Sequence, residues 1–282
     1  MGLKFTKMHG CGNDYIYFNC FETDIADPQQ LAIRLSDRHF SVGGDGVVLI
    51  CPSDKADAKM RMFNADGSEG KMCGNAIRCI GKFLYDNGIA VKNPLTVETL
   101  SGIKTLYLTI GEDGKVSTVR VDMGKAILSP ADIPVRLDGE TAVKRPVSID
   151  GVPYEITCVS MGNPHCIVFT DTDVAKLDLE KIGPTFECNE LFPERVNTEF
   201  INVLNDHTLR MRVWERGSGE TLACGTGACA SAVAACLNGY CRKGEDITVK
   251  LVGGELVINY TDEAVTMTGS ATIAFTGELL ED

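Results

Sequence analysis

The chain has 282 residues, which at roughly 150 residues per domain is enough for about two domains. Apolar residues make up 44% of it and charged residues 23%, a balance typical of a folded globular protein rather than a disordered or fibrous one. Its 39 acidic residues outnumber its 27 Lys and Arg residues, and the net charge of −12 disfavours nucleic acid and anionic membranes as partners.

The sequence predicts neither a membrane span nor a secretory leader. The longest helix-like apolar stretch, Ala228–Leu237, has ten residues and is too short to cross a bilayer. The start of the chain lacks the apolar region of a signal peptide. Gly2 and Thr6 fit the loose myristoylation pattern, but the alternation that follows them favours a first strand. We therefore expect a cytoplasmic protein.

Twelve cysteines are spread along the chain, and no two of them form a Cys-x-x-Cys pair. This pattern argues against both a structural zinc site and a thioredoxin-like redox motif, so we expect no bound metal. So many cysteines in a chain of this size are typical of a reducing cytosol. Most of them, including Cys79, Cys229 and Cys236, are expected to pack in the core as small apolar side chains.

Hydrophobic periodicity and turn residues predict a strand-rich chain with four helices. In chain order, the predicted strands are Leu3–Met8, Tyr15–Asn19, Gly46–Cys51, Lys59–Asn64, Leu95–Thr99, Ile103–Ile110, Lys115–Met123, Tyr154–Ser160, Cys166–Thr170, Phe200–Asn205, Thr208–Glu215, Asp246–Leu251, Gly254–Tyr260, Ala264–Gly269 and Thr272–Thr276. The predicted helices are Pro28–Arg38, Gly74–Asn87, Asp178–Glu187 and Gly225–Asn238.

An internal repeat is the most informative feature of the sequence. Residues Phe63–Ala76 and Trp214–Gly227 both run from a strand through a Gly/Ser loop to a Cys-Gly step and a helix rich in small residues. The two cysteines of this repeat, Cys73 and Cys224, are 151 residues apart.

A second pair of segments repeats at nearly the same offset. Gly12-Asn13-Asp14-Tyr15 and Gly162-Asn163-Pro164-His165 each precede a predicted strand, and their asparagines are 150 residues apart. Two homologous domains follow from this duplication. We place the first at residues 1–118, with residues 271–282 returning as its last strand, and the second at residues 119–270.

Each repeated cysteine stands immediately before a helix, where unpaired N–H groups and the positive end of the helix dipole lie. This position predicts a lowered pKa for both thiols. The same N–H groups can hold a carboxylate, and the glycine after each cysteine lets a ligand approach the backbone closely. If the domains are related by a pseudo-two-fold axis, Cys73 and Cys224 would face one cleft as a two-base pair that inverts a carbon centre.

Inversion of an amino acid at Cα requires a stabilised carbanion, because this proton is a very weak acid. Fixed dipoles in a dry cleft supply that stabilisation without a cofactor. No lysine stands in a recognisable Schiff-base context for pyridoxal phosphate. We therefore predict an isomerase that uses no cofactor.

The motifs resemble those of the diaminopimelate epimerase family from about residue 3 to the C-terminus. The matching segments are Gly10–Asp14, Phe63–Ser68, Met72–Cys79, Met161–His165, Glu194–Asn197, Trp214–Gly217 and Ala223–Ala228. The resemblance implies cofactor-independent interconversion of LL- and meso-diaminopimelate in lysine and peptidoglycan precursor biosynthesis. It also implies an α+β fold of two similar domains, each a mixed β-sheet or barrel wrapped around a central helix, in a homodimer.

The resemblance also implies roles for individual residues. Cys73 and Cys224 correspond to the two bases, and His165 and Glu215 to their tuning or relaying neighbours. The implied substrate-binding residues are Asn13, Asn64, Gly74, Asn75, Asn163, Asn197, Glu215, Arg216, Gly225 and Thr226. Among them, Asn64, Asn197 and Arg216 would recognise the distal carboxylate. A departure occurs at Gly46, where some members carry a substrate-lining Gln.

Three other interpretations of the function compete with this one. Residues Gly225–Ala230 fit a dinucleotide fingerprint, but a nine-residue loop separates them from the preceding strand, which argues against it. A proline or hydroxyproline racemase is a near alternative, which the second carboxylate site around Arg216 disfavours. A thiol redox or metal-binding module is the alternative from another functional class.

Overall fold

The computed structural model describes residues 2–280, and the chain divides into two compact units. The first unit runs to Asp122 and resumes at Thr268, whereas the second comprises Met123–Met267. The sequence placed these divisions at 118/119 and 270/271. A strand rather than a loop crosses each division, so no turn residues mark it in the sequence. Residues 1, 281 and 282 of the predicted first domain lie outside the described residues.

The first unit is a mixed sheet with two helices. Its elements are β1 (Leu3–Gly10), β2 (Asn13–Asn19), α1 (Pro28–Ser36), β3 (Gly46–Cys51), β4 (Ala58–Asn64), β5 (Glu69–Gly70), α2 (Gly74–Asp86), β6 (Leu95–Thr99), β7 (Gly102–Ile110), β8 (Val116–Gly124) and, from the end of the chain, β18 (Thr272–Leu279). Strand β1 pairs antiparallel with β2 and β18, and β2 pairs parallel with β3. Strand β4 is antiparallel to β3 and β5 and parallel to β6, and β7 is antiparallel to β6 and β8.

The second unit repeats this arrangement. Its elements are β9 (Arg145–Ile149), β10 (Val152–Ser160), β11 (Pro164–Phe169), a short 3-10 helix (Val174–Lys176), α3 (Leu179–Glu187), β12 (Asn197–Asn205), β13 (Thr208–Glu215), β14 (Gly219–Glu220), α4 (Gly225–Leu237), β15 (Asp246–Leu251), β16 (Gly254–Tyr260) and β17 (Val265–Ser270). Strand β10 is antiparallel to β9 and β11, and β11 is parallel to β12. Strand β13 is antiparallel to β12 and β14 and parallel to β15, which is antiparallel to β16.

Apart from the position of β18 in the chain and the 3-10 helix, the two units therefore share element order, strand direction and register. Tyr15 is opposite Gly46 across the parallel pair of the first unit, and His165 is opposite Asn197 across the corresponding pair of the second. Strand β18 of the first unit corresponds to β9 of the second, since each pairs with the strand that leads into the repeat. The predicted α+β class with two similar domains is confirmed.

Each unit has one central and one peripheral helix. The buried residues of α4 lie on all sides of the helix, and it contacts β10, β11, β12, β13, β15 and β16. Helix α2 packs against β1, β2 and β7. On the periphery, Leu31 and Leu35 of α1 belong to a core cluster with Phe63, and Phe186 of α3 belongs to one with Phe200. Among the described residues, no helix is long and apolar enough to span a bilayer.

The structure corrects several predicted elements. Strand β9 was missed because it has only five residues and contains Pro146, which is typical of a loop or an edge strand. The two-residue strands β5 and β14 and the 3-10 helix were missed because they are shorter than any periodic pattern. Asn13 and Pro164 lie within strands rather than before them. Helix α1 ends at Ser36, two residues earlier than predicted, because Asp37 adopts an extended conformation.

Candidate active site

Cys73 and Cys224 occupy the same local structure in the two units. Each is the N-cap residue of its unit's central helix, with extended backbone angles. The Sγ atom of Cys73 accepts the Ala76 N–H at 3.5 Å, and that of Cys224 accepts the Gly227 N–H at 3.3 Å. Both sulfurs therefore lie among the unpaired N–H groups of a helix N-terminus, as the repeat predicts.

Cys73 of the first unit lies beside a polar side chain. Its thiol donates to Oδ1 of Asn13 at 3.3 Å. The Nδ2 group of Asn13 donates to Asp45 at 2.7 Å, which fixes the amide so that its oxygen faces the sulfur. Asp45 is held in turn by Arg38 at 2.9 Å. The structure thus brings Asn13 to Cys73, although the sequence did not single out Asp45.

The remaining predicted residues of the first unit are engaged in local hydrogen bonds. Asn64 ends β4, and its Nδ2 group donates to Ser68 Oγ at 3.0 Å. The side chain of Asn75 accepts from Arg78 at 2.9 Å. The fully buried Arg78 also donates to the carbonyl of Gly74, the first helical residue.

Gly46 explains the departure from the family pattern. A Cβ atom at this position would collide with the carbonyl oxygen of Phe63 on the neighbouring strand. A side chain such as Gln would therefore require the backbone of β3 or β4 to shift. In the second unit, the register of the parallel pair puts Asn197 at the corresponding place.

Around Cys224 in the second unit lie a buried histidine and a buried acid. His165 on β11 is fully buried, with its Nδ1 atom 2.7 Å from Glu199 Oε1 and its Nε2 atom 3.1 Å from Asn163 Oδ1. The Cys224 sulfur lies 3.5 Å from the Thr226 hydroxyl. The structure therefore gathers Asn163, His165, Cys224 and Thr226 in one region of this unit.

Burial raises the pKa of the Cys224 thiol well above its usual range, and the nearby carboxylates of Glu215 and Glu199 raise it further. Hydrogen bonds from Thr226 and Gly227 act in the opposite direction but do not outweigh these effects. The predicted lowering of the thiol pKa by the helix N-terminus is therefore wrong for Cys224. Desolvation and the two acids raise the pKa of this thiol by more than the helix N-terminus lowers it.

Glu215 ends β13 and is held by a hydrogen bond from the Thr221 hydroxyl. Burial raises the pKa of its carboxyl group, while Thr221 and His165 lower it. A hydrogen bond with Cys224 also acts on this carboxyl group. Glu215 thus adjoins Cys224, one of the two thiols whose neighbour the resemblance implies it to be.

The last two predicted residues anchor the loop after β13. Asn197 accepts the backbone N–H of Arg216 at 3.0 Å and donates to the Pro164 carbonyl at 2.8 Å. The Arg216 side chain is solvent-exposed and donates one hydrogen bond, at 2.8 Å, to the carbonyl of Glu194. The guanidinium fork retains further N–H groups that could bind a carboxylate.

One set of side chains could be considered as a metal site. Ligand atoms of His165, Glu199 and Cys224 lie within 4.8 Å of one another. The separation of 2.7 Å between His165 Nδ1 and Glu199 Oε1 is a hydrogen-bond distance. Two ligands on one tetrahedral zinc ion are about 3.4 Å apart, given bonds of about 2.0–2.2 Å. A metal would therefore require this pair to separate.

Glu199 is the residue that the sequence interpretation missed. It lies in β12, where a single acid stands in a buried run of the strand. A charged residue at a buried strand position is a signal of a specific partner, because unpaired charges are rarely buried. The sequence therefore indicates that Glu199 has a partner. It does not indicate which residue that partner is, because only the strand register brings Glu199 to His165.

Comparisons with known proteins agree with this geometry. The sequence profile of the family described as Diaminopimelate epimerase matches residues 5–129 and 157–274. The chain is 56% identical over 279 residues to the diaminopimelate epimerase of Acetivibrio thermocellus, with 98% of each chain covered. It is 53% identical over 279 residues to the protein of the same name from Methanococcus maripaludis strain C5, covering 98% of this chain and 99% of that one.

Solved structures with low sequence identity share the fold. A hydroxyproline epimerase from Agrobacterium vitis has a TM-score of 0.70 at 13% identity, covering 98% of this chain and 92% of that one. A probable proline racemase from Agrobacterium radiobacter K84 has a TM-score of 0.69 at 16% identity, covering 99% and 93%. The resemblance predicted from the motifs is thereby confirmed at the level of both sequence family and fold.

Proposed function

Because the chain belongs to the diaminopimelate epimerase family, we propose that it interconverts LL- and meso-diaminopimelate by a two-base mechanism that uses no cofactor. The observation that carries this proposal is the duplicated Cys-Gly N-cap, within a chain more than half identical to relatives of that name. The reaction would serve lysine and peptidoglycan precursor biosynthesis.

In the proposed reaction, each unit contributes one sulfur. A thiolate takes the Cα proton from one face of the substrate, and the other thiol gives a proton to the opposite face. One C–H bond breaks and one forms, while one S–H bond forms and the other breaks. The enzyme therefore ends each turnover with the proton on the other sulfur, and proton exchange of the two thiols with solvent restores the starting state.

The α-carboxylate is proposed to bind the backbone N–H groups at the helix N-termini. Gly74 and Asn75 offer these groups on α2, and Gly225 and Thr226 offer them on α4. Fixed N–H groups stabilise the negative charge that spreads onto this carboxylate as the proton leaves. The guanidinium of Arg216 supplies the positive charge that the distal carboxylate requires, with Asn64 and Asn197 as its polar neighbours in the proposal.

Asn13, Asn163, His165 and Glu215 are proposed as the lining and tuning residues of the two half-sites. Asn13 is oriented by Asp45 toward Cys73, and Glu215 adjoins Cys224. We also propose that the enzyme is a cytoplasmic homodimer. A reducing compartment supports this location, because the mechanism needs two thiols in reduced form.

The test is proton exchange with LL-diaminopimelate in deuterated water, followed by nuclear magnetic resonance and chiral chromatography. We expect deuterium at one Cα and the appearance of the meso isomer. L-Proline and trans-4-hydroxy-L-proline are the control substrates. Racemisation of proline without turnover of diaminopimelate would contradict the proposal.

A further inference from the structure

Glu199 is a carboxylate at the centre of the second unit, with its side chain fully removed from solvent. One oxygen, Oε1, lies 2.7 Å from His165 Nδ1. Its other oxygen, Oε2, has no hydrogen-bond partner among residues 2–280. An incompletely satisfied buried charge is costly, so its presence here calls for a functional reason.

The carboxylate of Glu199 is close to Cys224 as well as to His165. The sulfur, the imidazole nitrogen and the carboxylate oxygen lie within 4.8 Å of one another. Space for this carboxylate is provided by Gly227 in the first turn of α4, because a Cβ atom there would collide with Glu199 Oε1. The same Gly227 donates its N–H to the Cys224 sulfur.

The first unit has no equivalent of this carboxylate. At the offset of 151 residues that relates the two cysteines, Glu199 corresponds to Val48 and Gly227 to Ala76. The second unit thus has Gly227 where the carboxylate of Glu199 needs space. The first unit, which has Val48 in place of the acid, has Ala76 at the position of that glycine. Glu215 corresponds in the same way to the neutral Asn64. The carboxylates are therefore a specific feature of the Cys224 half.

We propose that Glu199 is a positioning residue that orients His165 beside Cys224 and, by its negative charge, keeps Cys224 as the protonated thiol. The catalytic meaning of this role rests on the two-base function proposed above. A carboxylate only accepts hydrogen bonds, so the Nδ1 atom of His165 carries the proton in this pair and the ring is held in one orientation.

The groups that act on the Cys224 sulfur come from four elements of its unit. Glu215 on β13 and Glu199 on β12 are the acidic ones, and His165 is on β11. The hydroxyl and N–H donors of α4, from Thr226 and Gly227, favour the thiolate instead. A thiolate at Cys224 would form beside two carboxylates, so it would readily take a proton. A resting thiol gives this half of the site a defined starting role as proton donor.

The test compares the alkylation of Cys224 by iodoacetamide as a function of pH in the wild type and in Glu199→Gln, with peptide mass spectrometry to assign the cysteine. Only the thiolate reacts at an appreciable rate. Removing the negative charge is expected to lower the midpoint of this profile by about one pH unit, so that Cys224 reacts about tenfold faster below the wild-type midpoint. The kcat for diaminopimelate is expected to fall with little change in KM.

Two further variants separate the effect of the charge of Glu199 from the effect of its shape. Glu199→Asp keeps the charge and shortens the side chain, so its midpoint is expected to stay within a few tenths of a pH unit of the wild type. It also tests the inference if the glutamine variant does not fold. Glu187→Gln makes the same isosteric change at another buried acid, which binds Trp214 and Gly217 instead of the thiol region. The alkylation midpoint of Cys224 is expected to be unchanged in this control.

An unchanged midpoint in folded Glu199→Gln would overturn the inference, as would equal shifts in the glutamine variants of Glu199 and Glu187. A midpoint lowered by a full unit in Glu199→Asp would also overturn it, because the charge is still present there. Alkylation needs no turnover. A wild-type protein that is inactive on diaminopimelate would therefore refute the proposed function while this comparison of variants still decides the role of Glu199.

Discussion

Cys224 has opposing influences on its sulfur: burial and the nearby acids destabilise a thiolate, and the donors of α4 stabilise it. Burial, with the two acids, outweighs the donors, so the pKa of the thiol is raised. In the absence of substrate this favours the protonated form at neutral pH. The two cysteines of the repeat are equivalent in position, but the residues that correspond to Glu199 and Glu215 in the first unit, Val48 and Asn64, are uncharged.

Replacing either repeated cysteine by serine tests the two-base model at the level of single residues. The Cys73→Ser and Cys224→Ser variants are each expected to lose at least about a hundredfold in kcat, because a serine hydroxyl is a much weaker acid than a thiol. The measurement is conversion of LL- to meso-diaminopimelate by chiral chromatography. The Cys188→Ser variant is the control, since Cys188 is exposed at the end of α3. Normal rates in both active-site variants would refute the model.

At the scale of elements, α4 shows how a helix adapts to a buried charge. Its sequence is rich in alanine, glycine and cysteine, so many strands can approach it closely. Gly227 adds a local function, because its missing side chain makes room for the carboxylate of Glu199. The same first turn therefore serves both packing and electrostatics.

The Gly227→Ala variant tests this adaptation. A Cβ atom at this position would collide with Glu199 Oε1 and lie 3.2 Å from Cys224 Sγ. We expect a loss of about 1–3 kcal/mol in the free energy of unfolding, measured by urea denaturation, together with a lower kcat. The Gly81→Ala variant is the matched control, because a Cβ atom there meets Leu106 in the apolar contact of α2. It is expected to lose stability while the alkylation profile of Cys224 stays unchanged. If the alkylation profile of Cys224 is unchanged in Gly227→Ala as well as in Gly81→Ala, the space that Gly227 provides is not specific to the thiol.

The elements that sequence patterns predicted best are strands with apolar runs between clear turns. The bounds of β3, β6, β13, β15 and β16 are those predicted, since turn residues flank each of them. Strand β9 could not be predicted, because its identity depends on pairing with β10 rather than on its own composition. A pairing partner is a property of the folded chain and leaves little trace in a segment of five residues.

The candidate site was predictable only where local sequence determines it. The position of both cysteines before a helix followed from local spacing, and the structure has them there. The raised pKa of Cys224 did not follow, because it comes from burial and from acids on two neighbouring strands. Glu199 and Cys224 are 25 residues apart in sequence. Only the register of β11 with β12 brings them together with His165.

On the scale of the whole molecule, the first unit depends on both ends of the chain. Strand β18 pairs with β1 along most of its length, from Leu3 opposite Leu279 to His9 opposite Thr272. Phe275 of β18 also makes an edge-to-face contact with Phe5, with ring centroids 6.1 Å apart. Without β18, the hydrogen-bonding edge of β1 would be unpaired and open to aggregation.

Truncation after Ala271 tests this dependence. We expect the shortened chain to lose the protection of β1 and its neighbours against hydrogen exchange, while the strands of the second unit keep theirs. Hydrogen exchange with mass spectrometry measures both in one experiment. A synthetic peptide of residues 272–280, added in trans, is expected to restore protection, and a peptide with the same composition in scrambled order is the control. Equal loss of protection in both units would contradict the assignment of β18 to the first unit alone.

The return of β18 to β1 has a consequence for how the protein is made. A ribosome releases the N-terminal strand first and the strand that completes its pairing last. The Met123–Met267 unit is contiguous in sequence, so almost all of its sheet is synthesised before β18, which the first unit needs. The nascent chain is therefore expected to complete the sheet of the first unit last, although most of the residues of that unit are synthesised first.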